Sequence, residues 1–232
     1  MLTVDVGIAK THKYASRDSG DTVETVERPT GGLSVVIADG QGSGFAAKTL
    51  SMMVSSKAVA LLKDGIRDGA VARGVHDSLL AYRHGKVSAT LDLLSVDLAS
   101  RTVLLTRNSH VPYIVVDSDG AVLRQSETTP IGVYRHTRPT VHQHPISAGL
   151  YVVVFTDGVS NAGRRAGCPL EPLEALTMGG SASDIAEGLL AAAIDADQGR
   201  PGDDMAVVAL AINAAEDVQP IRTMRVTWPI PE

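Results

Sequence analysis

The chain has 232 residues, 44% hydrophobic and 20% charged, with a formal net charge of -5 and only 3% aromatic residues. That size and balance suit one globular domain, residues 1–232, with a core of aliphatic side chains rather than rings. Nucleic acid is excluded as a partner, because no lysine or arginine cluster meets a phosphate backbone and too few rings exist to stack bases.

Along the chain, Met1-Leu2-Thr3-Val4-Asp5 opens without the basic segment and apolar run of a secretory leader. Residues 4–9 and 33–38 read as strands, the second an almost unbroken apolar run suited to burial on both faces. From 44 to about 63, Phe45, Leu50, Met53, Val54, Ala58, Leu61 and Leu62 recur at helical spacing, and Lys63-Asp64-Gly65 supplies a stop. A second helix is expected over about 70–82.

The middle of the chain is different. Residues 87–96, 102–107, 111–117 and 121–125 are short apolar segments separated by brief turns such as Ser118-Asp119-Gly120. Such spacing leaves no room for crossover helices, so these strands are expected to be antiparallel neighbours. His136, His142 and His144 lie in a polar stretch with Pro139 and Pro145 that reads as a surface loop.

Residues 150–156 form another strongly β-branched strand. The one cysteine, Cys168, reads as a small packing residue; it permits no intramolecular disulfide and so fits a reducing, cytoplasmic setting. Ser181 with Asp184 forms a capping-box pattern for a helix to about 193, and residues 205–212 return to strand. No stretch approaches the ~20 apolar residues of a membrane span, so no membrane is expected. Strands, helices, strands, helix and strand make an α+β protein with much antiparallel sheet.

Aspartates beside glycines stand at the ends of these strands. Asp39-Gly40-Gln41-Gly42-Ser43-Gly44 closes one strand and opens a helix. Asp157-Gly158 closes another, Gly202-Asp203-Asp204 precedes a third, and Gly20-Asp21 lies near the N-terminus. Asp-Gly is also an ordinary turn pair, and Asp64-Gly65, Asp68-Gly69 and Asp119-Gly120 read that way. Three acidic motifs abutting three apolar strands ask for more. Converging carboxylates near a low-dielectric core repel one another unless a cation sits between them, and hard divalent ions prefer such oxygen ligands.

The ordered set Gly20-Asp21, Asp39-Gly40-x-Gly42-x-Gly44, Phe155-Thr156-Asp157-Gly158 and Gly202-Asp203-Asp204-Met205 resembles the PP2C-type metal-dependent protein phosphatases, in particular their bacterial SpoIIE/RsbU/RsbX branch. Asn108-Ser109-His110, Pro130-Ile131-Gly132 and Ala89-Thr90-Leu91-Asp92 resemble further segments of that branch, and the likeness runs from about residue 4 to 212. With no sensor domain ahead of it, the chain looks most like the stand-alone RsbX-type members. The resemblance implies a four-layer α-β-β-α sandwich of two antiparallel sheets flanked by helices, with two Mn²⁺ or Mg²⁺ ions at one edge. It implies that Asp39 bridges both ions, that the Gly40 carbonyl contributes, that Asp157 and Asp203 hold one ion, and that Asp21 helps hold the other. Asp204 stands where the wider family has Asn and ranks below Asp203.

The implied reaction is hydrolysis of a phosphoserine or phosphothreonine on a small regulatory protein, such as a STAS-type anti-sigma-factor antagonist, by a metal-activated water. Two departures from the family stand out. Gln41 replaces the histidine taken as general acid in many members, which leaves protonation of the leaving group unassigned. The phosphate-binding arginine has no clear counterpart, with Arg17 the nearest candidate. His110 reads as a turn residue.

Two rival readings come from other classes. The same fold could serve as a catalytically inactive binding module. Alternatively, Gly42-Ser-Gly-Phe-Ala-Ala47-Lys48-Thr49 nearly spells a nucleotide-binding phosphate loop, with residues 152–157 as its acidic partner strand, although Ala47 stands where glycine is required.

Overall fold

The computed structural model describes residues 1–125, 127–215 and 221–227. Ten strands are described: β1 (Leu2–Thr11), β2 (Asp21–Glu27), β3 (Gly32–Gly40), β4 (Ala89–Asp97), β5 (Thr102–Asn108), β6 (Tyr113–Asp117), β7 (Gly120–Arg124), β8 (Thr140–Pro145), β9 (Tyr151–Phe155) and β10 (Met205–Ala214). The main helices are α1 (Gly44–Lys63), α2 (Asp68–Arg83) and α5 (Ala182–Ala196), with short turns α3 (Asp157–Ser160) and α4 (Pro172–Ala175) before α5. One sheet runs β1-β10-β9-β6-β7 and the other β2-β3-β4-β5-β8, every pairing antiparallel.

Three cores separate four layers. Val35, Ile37, Leu94, Leu105, Val152, Val154, Val208 and Leu210 fill the space between the sheets. Val36 and Ala38, the alternate residues of β3, face the other way onto Leu50, Val54, Ala58 and Leu62 of α1 and onto α2. Val153, Phe155, Val207 and Ala209 likewise face Ile185, Ala186 and Leu189 of α5. Strand side chains alternate between faces, so a strand buried on both reads as an apolar run; the expectation for residues 33–38 follows from this layering. Ser181 Oγ accepts from the Asp184 backbone N–H at 3.2 Å and Asp184 Oδ2 accepts from the Ser181 N–H at 2.7 Å, completing the capping box of α5.

The structure corrects several expectations. The consecutive middle strands do not form one meander: β4 and β5 belong to one sheet, β6 and β7 to the other, and the 109–112 connection crosses between layers. Residues 140–145 are not a loop but the edge strand β8, paired with β5, whose inward His142 and His144 are half-buried. Its outward positions Val141, Gln143 and Pro145 are exposed, so its sequence lacks an apolar face. Cys168 is exposed rather than packed. α1 does reach the length and composition of a membrane span, with a mean hydropathy of 1.3, contrary to the sequence reading. Its apolar face is spent on β3 and α2. β3 and β9 lie in different sheets, so residues 152–157 are not a neighbouring strand for the 42–49 loop, and neither sheet has the parallel strands that the nucleotide-binding reading requires.

Candidate functional site

The acidic motifs meet at one end of the sandwich. Asp39 continues the inward row Val35, Ile37 to the end of β3, where the layers open. It stands opposite Asp21 of β2 and Thr90 of β4 in the ladder. From the other sheet come Asp157, two residues past the end of β9, and Asp203, two residues before β10. Asp39, Gly40, Asp157 and Asp203 line one cleft of about 440 Å³, together with Lys13, Gln41, Ser88, Thr90, His110 and Asp204. Asp21 does not line it. It is 1% exposed, one strand behind Asp39.

Close packing explains why glycines stand beside these aspartates. A Cβ on Gly40 would lie 2.3 Å from the Ala47 carbonyl oxygen of α1, and one on Gly158 would lie 2.0 Å from the Asp204 carbonyl oxygen. Only a residue without a side chain lets those backbones approach. The turn glycines of the other Asp-Gly pairs differ, Gly65 with φ 77° and Gly120 with φ 115°.

Hydrogen bonds hold the two sheets together at the cleft. Thr156 Oγ1 donates to Asp21 Oδ2 at 2.8 Å and accepts from the Ala206 N–H at 2.9 Å, joining β2 to β10 across the sandwich. Asp204 is a fastener as well as a wall: its carboxylate accepts from the Lys13 and Gly20 N–H groups, both at 2.8 Å, pinning the β1–β2 connection. This is a different duty from that of Asp203, whose Oδ1 accepts the adjacent Asp204 N–H at 3.0 Å and so pins no distant segment. Lys10 and Lys48 donate to the Asp21 carbonyl at 2.9 and 3.1 Å. Burial, and then the charge of Lys48, lowers the pKa of Lys10.

The electrostatics of the cluster are unfavourable as it stands. Burial first, and then the charges of Asp21, Asp157, Asp203 and Asp204, push the Asp39 carboxyl up to about 9. Burial pushes Asp21 up to about 7 even though the Thr156 hydrogen bond opposes the shift. Burial and Asp203 also raise Asp157, while the charge of His110 pulls it down. The ion pairs among the described residues are Arg28–Asp68, Arg107–Asp92 and Arg222–Glu27, and none involves these acids.

By donor chemistry the site fits hard divalent cations: carboxylate oxygens from two sheets, in surplus over nearby positive charge. Among the described residues no three His, Cys, Asp or Glu side chains are already drawn into a closed cage.

Sequence reasoning missed Lys13, Ser88 and the cleft position of His110. Arg17 is exposed and does not line the cleft. Gln41 does line it, but its Oε1 accepts from the Ser88 N–H at 3.0 Å, so its amide is held against that neighbour.

Residues 29–213 match the family model described as stage II sporulation protein E (SpoIIE). No curated protein matches the chain by sequence. Among solved structures, the PP2C phosphatase domain with a regulatory fragment of SpoIIE from Bacillus subtilis superposes with a TM-score of 0.81 at 22% identity. That match covers 93% of this chain and 65% of the other, so the chain spans just under two thirds of that fragment. RsbX in complex with magnesium gives a TM-score of 0.71 at 15% identity, covering 92% of this chain and 100% of RsbX. The RsbU and RsbW domains of a Mycobacterium tuberculosis protein give 0.71 at 17% identity, covering 92% and 62%. At these identities the structural likenesses establish the fold, an α-β-β-α sandwich of two antiparallel sheets.

Proposed function

Because the chain belongs to the SpoIIE family of PP2C-type protein serine/threonine phosphatases, we propose that it is an active, metal-dependent member that hydrolyses phosphoserine or phosphothreonine on a small regulatory protein. The observation that carries this reading is the convergence of Asp39, Asp157 and Asp203 on one cleft, with no ion pair to any of them among the described residues. In the proposal the whole chain, 1–232, works as one catalytic domain.

Asp39, Asp157 and Asp203 hold the cations, with the Gly40 carbonyl as a further oxygen donor and Asp21 supporting the set from behind Asp39. Two Mn²⁺ or Mg²⁺ ions bound there would supply a water acidic enough to attack phosphorus and positive charge to offset the phosphoryl oxygens. The rest falls to the chain. Thr156 keeps Asp21 oriented and clamps the sheets at the mouth. Asp204 fixes the segment that carries Lys13, whose ammonium lines the cleft and can meet a phosphoryl oxygen. The open edge of the sandwich leaves room for a protein substrate to present its phosphorylated residue.

RsbU and RsbW domains occur together in the M. tuberculosis protein, and this supports a phosphorylated partner of the anti-sigma-antagonist type, with a STAS fold, handled in the cytoplasm. The filled acidic positions favour this reading over an inactive binding module. The experiment is hydrolysis of a phosphoserine peptide and of p-nitrophenyl phosphate by the whole chain, with Mn²⁺ and with chelator. Turnover that needs Mn²⁺ supports the proposal. Protein that binds Mn²⁺ yet leaves both esters intact is the inactive module. Phosphorylated STAS-type proteins then test the partner, and inertness towards all of them despite peptide turnover removes that part alone.

A further inference from the structure

The phosphatase reading leaves the leaving group without a proton donor. Serine departs as an alkoxide, far too basic to leave unprotonated, and Gln41 has no transferable proton. Resting on that reading, we propose that His110 is the general acid that protonates the departing serine or threonine oxygen.

Position is the first argument. His110 is exposed and lines the cleft, in the connection that carries the chain from β5 in one sheet to β6 in the other. It is close enough to Asp157 for its charge to act on that carboxylate. The attacking water belongs beside Asp39, Asp157 and Asp203, so an acid for in-line displacement must be a further residue of the same cleft, within reach of the departing oxygen.

The second argument is mounting. The Ser109 N–H donates to Thr128 Oγ1 at 3.2 Å, and Thr128 Oγ1 donates back to the Ser109 carbonyl at 2.9 Å. The Val111 N–H donates to Ser109 Oγ at 3.2 Å. Asn108 Nδ2 donates to the Thr129 and Arg138 carbonyls at 3.2 and 3.3 Å. Hydrogen bonds therefore fix the backbone on both sides of His110, an exposed residue of the cleft lining. A turn residue with no function needs no such support, and a proton donor needs it to stay in reach of the oxygen it serves.

The third argument is elimination. Besides His110, the titratable groups on the cleft wall are Lys13 and four aspartates. Asp39, Asp157 and Asp203 are assigned to cations, and Asp204 accepts two backbone hydrogen bonds as a carboxylate. An ammonium holds its proton more tightly than an imidazolium, and histidine is the side chain suited to proton exchange near neutral pH. In the step, a water oxygen forms a bond to phosphorus as the bond from phosphorus to the serine oxygen breaks. The electron pair of that bond goes to the serine oxygen, which takes the imidazolium proton. The proton lost by the water goes to solvent, and solvent reprotonates the imidazole.

The test compares leaving groups. p-Nitrophenolate leaves without a proton, whereas serine does not. For His110→Gln, kcat/KM on a phosphoserine peptide relative to p-nitrophenyl phosphate should fall by about 10²-fold or more. Mn²⁺ binding by calorimetry and the melting temperature should match those of the native chain. An equal loss on both esters, no loss on the peptide, or weakened Mn²⁺ binding would overturn the role. So would Lys13→Met reproducing the selective loss. A native chain inert towards both esters would instead sink the phosphatase reading itself.

Discussion

Asp92 and Asp39 sit on adjacent strands of one sheet and point into the same space between layers, yet only Asp92 has a counter-ion. Both oxygens of Asp92 accept from the fully buried Arg107, from Nε at 3.0 Å and Nη2 at 2.8 Å. The guanidinium also stacks 4.9 Å from the centroid of the Tyr113 ring. At the far end of the same sheet Arg28 pairs with Asp68 and donates to the Ile66 carbonyl at 2.9 Å. Those acids are architecture, each neutralised where it is buried. Asp39, Asp157 and Asp203 have no ion pair among the described residues and stand at the edge where solvent and ions can enter. A buried charge that the fold itself satisfies holds layers together, whereas a cluster left unsatisfied stores repulsion that a bound cation relieves.

The contrast breaks most readily at Asp39. Asp39→Asn should cut phosphoserine hydrolysis in Mn²⁺ by about 10³-fold, while the metal-free protein melts at the same temperature or higher because folding no longer has to protonate a buried carboxylate. Steady-state rates and thermal melts read both effects, and a near-native rate would remove Asp39 from the site. Arg107→Met should do the reverse. Stranding Asp92 should cost about 3–5 kcal/mol in urea denaturation, with Mn²⁺ stoichiometry and the activity of the folded fraction kept.

Thr156→Val lies between the two classes. It leaves Asp21 Oδ2 and the Ala206 N–H without the shared hydroxyl, and should cost about 1–3 kcal/mol of stability. A smaller fall in activity than for Asp39→Asn is expected, since no proposed ligand is lost.

The gentlest probe is pH. The folded pKa values of Asp39 (about 9) and Asp21 (about 7) lie above the ordinary aspartate value of 3.8, so the folded metal-free protein holds protons that the unfolded chain has released. Their contribution to stability is therefore greatest in acid. It declines as pH rises from about 4 towards 9, by at most about 1.4 kcal/mol per pH unit for each proton. Bound Mn²⁺ displaces those protons, so its stabilising effect should grow with pH over the same window. Melting temperatures with and without Mn²⁺ check it; a metal-free protein that gains stability between about pH 5 and pH 8 would contradict the shifts at this cluster.

Much of this was legible beforehand where one residue's neighbours in sequence decide its environment. The runs around Val36, Val153 and Val208 declared strands, the first of them suited to burial, and Ser181 with Asp184 declared the start of α5. β2 went unseen because its Asp21, Thr22, Glu24, Thr25 and Glu27 give an edge strand too polar to stand out. β8 was hidden for the same reason, its inward positions being polar: His142 packs beside the Tyr113 ring, and His144 feels the charges of Arg124 and Asp117. The cleft residues Lys13 and Ser88 carry no pattern of their own, and His110, although part of the Asn108-Ser109-His110 segment, reads as a turn residue.

Local order along the chain was enough to specify the α+β class, most elements and the acidic residues at strand ends, because hydrophobic period, capping and Asp-Gly adjacency are short-range properties. It could not say which sheet a strand joins, or that Thr156 would reach Asp21, 135 residues away. Nor could it separate Asp92, answered by Arg107, from Asp39, which has no ion pair among the described residues. Those outcomes depend on backbone hydrogen bonding and charge between segments distant in sequence, and such interactions acquire a geometry only when the layers close.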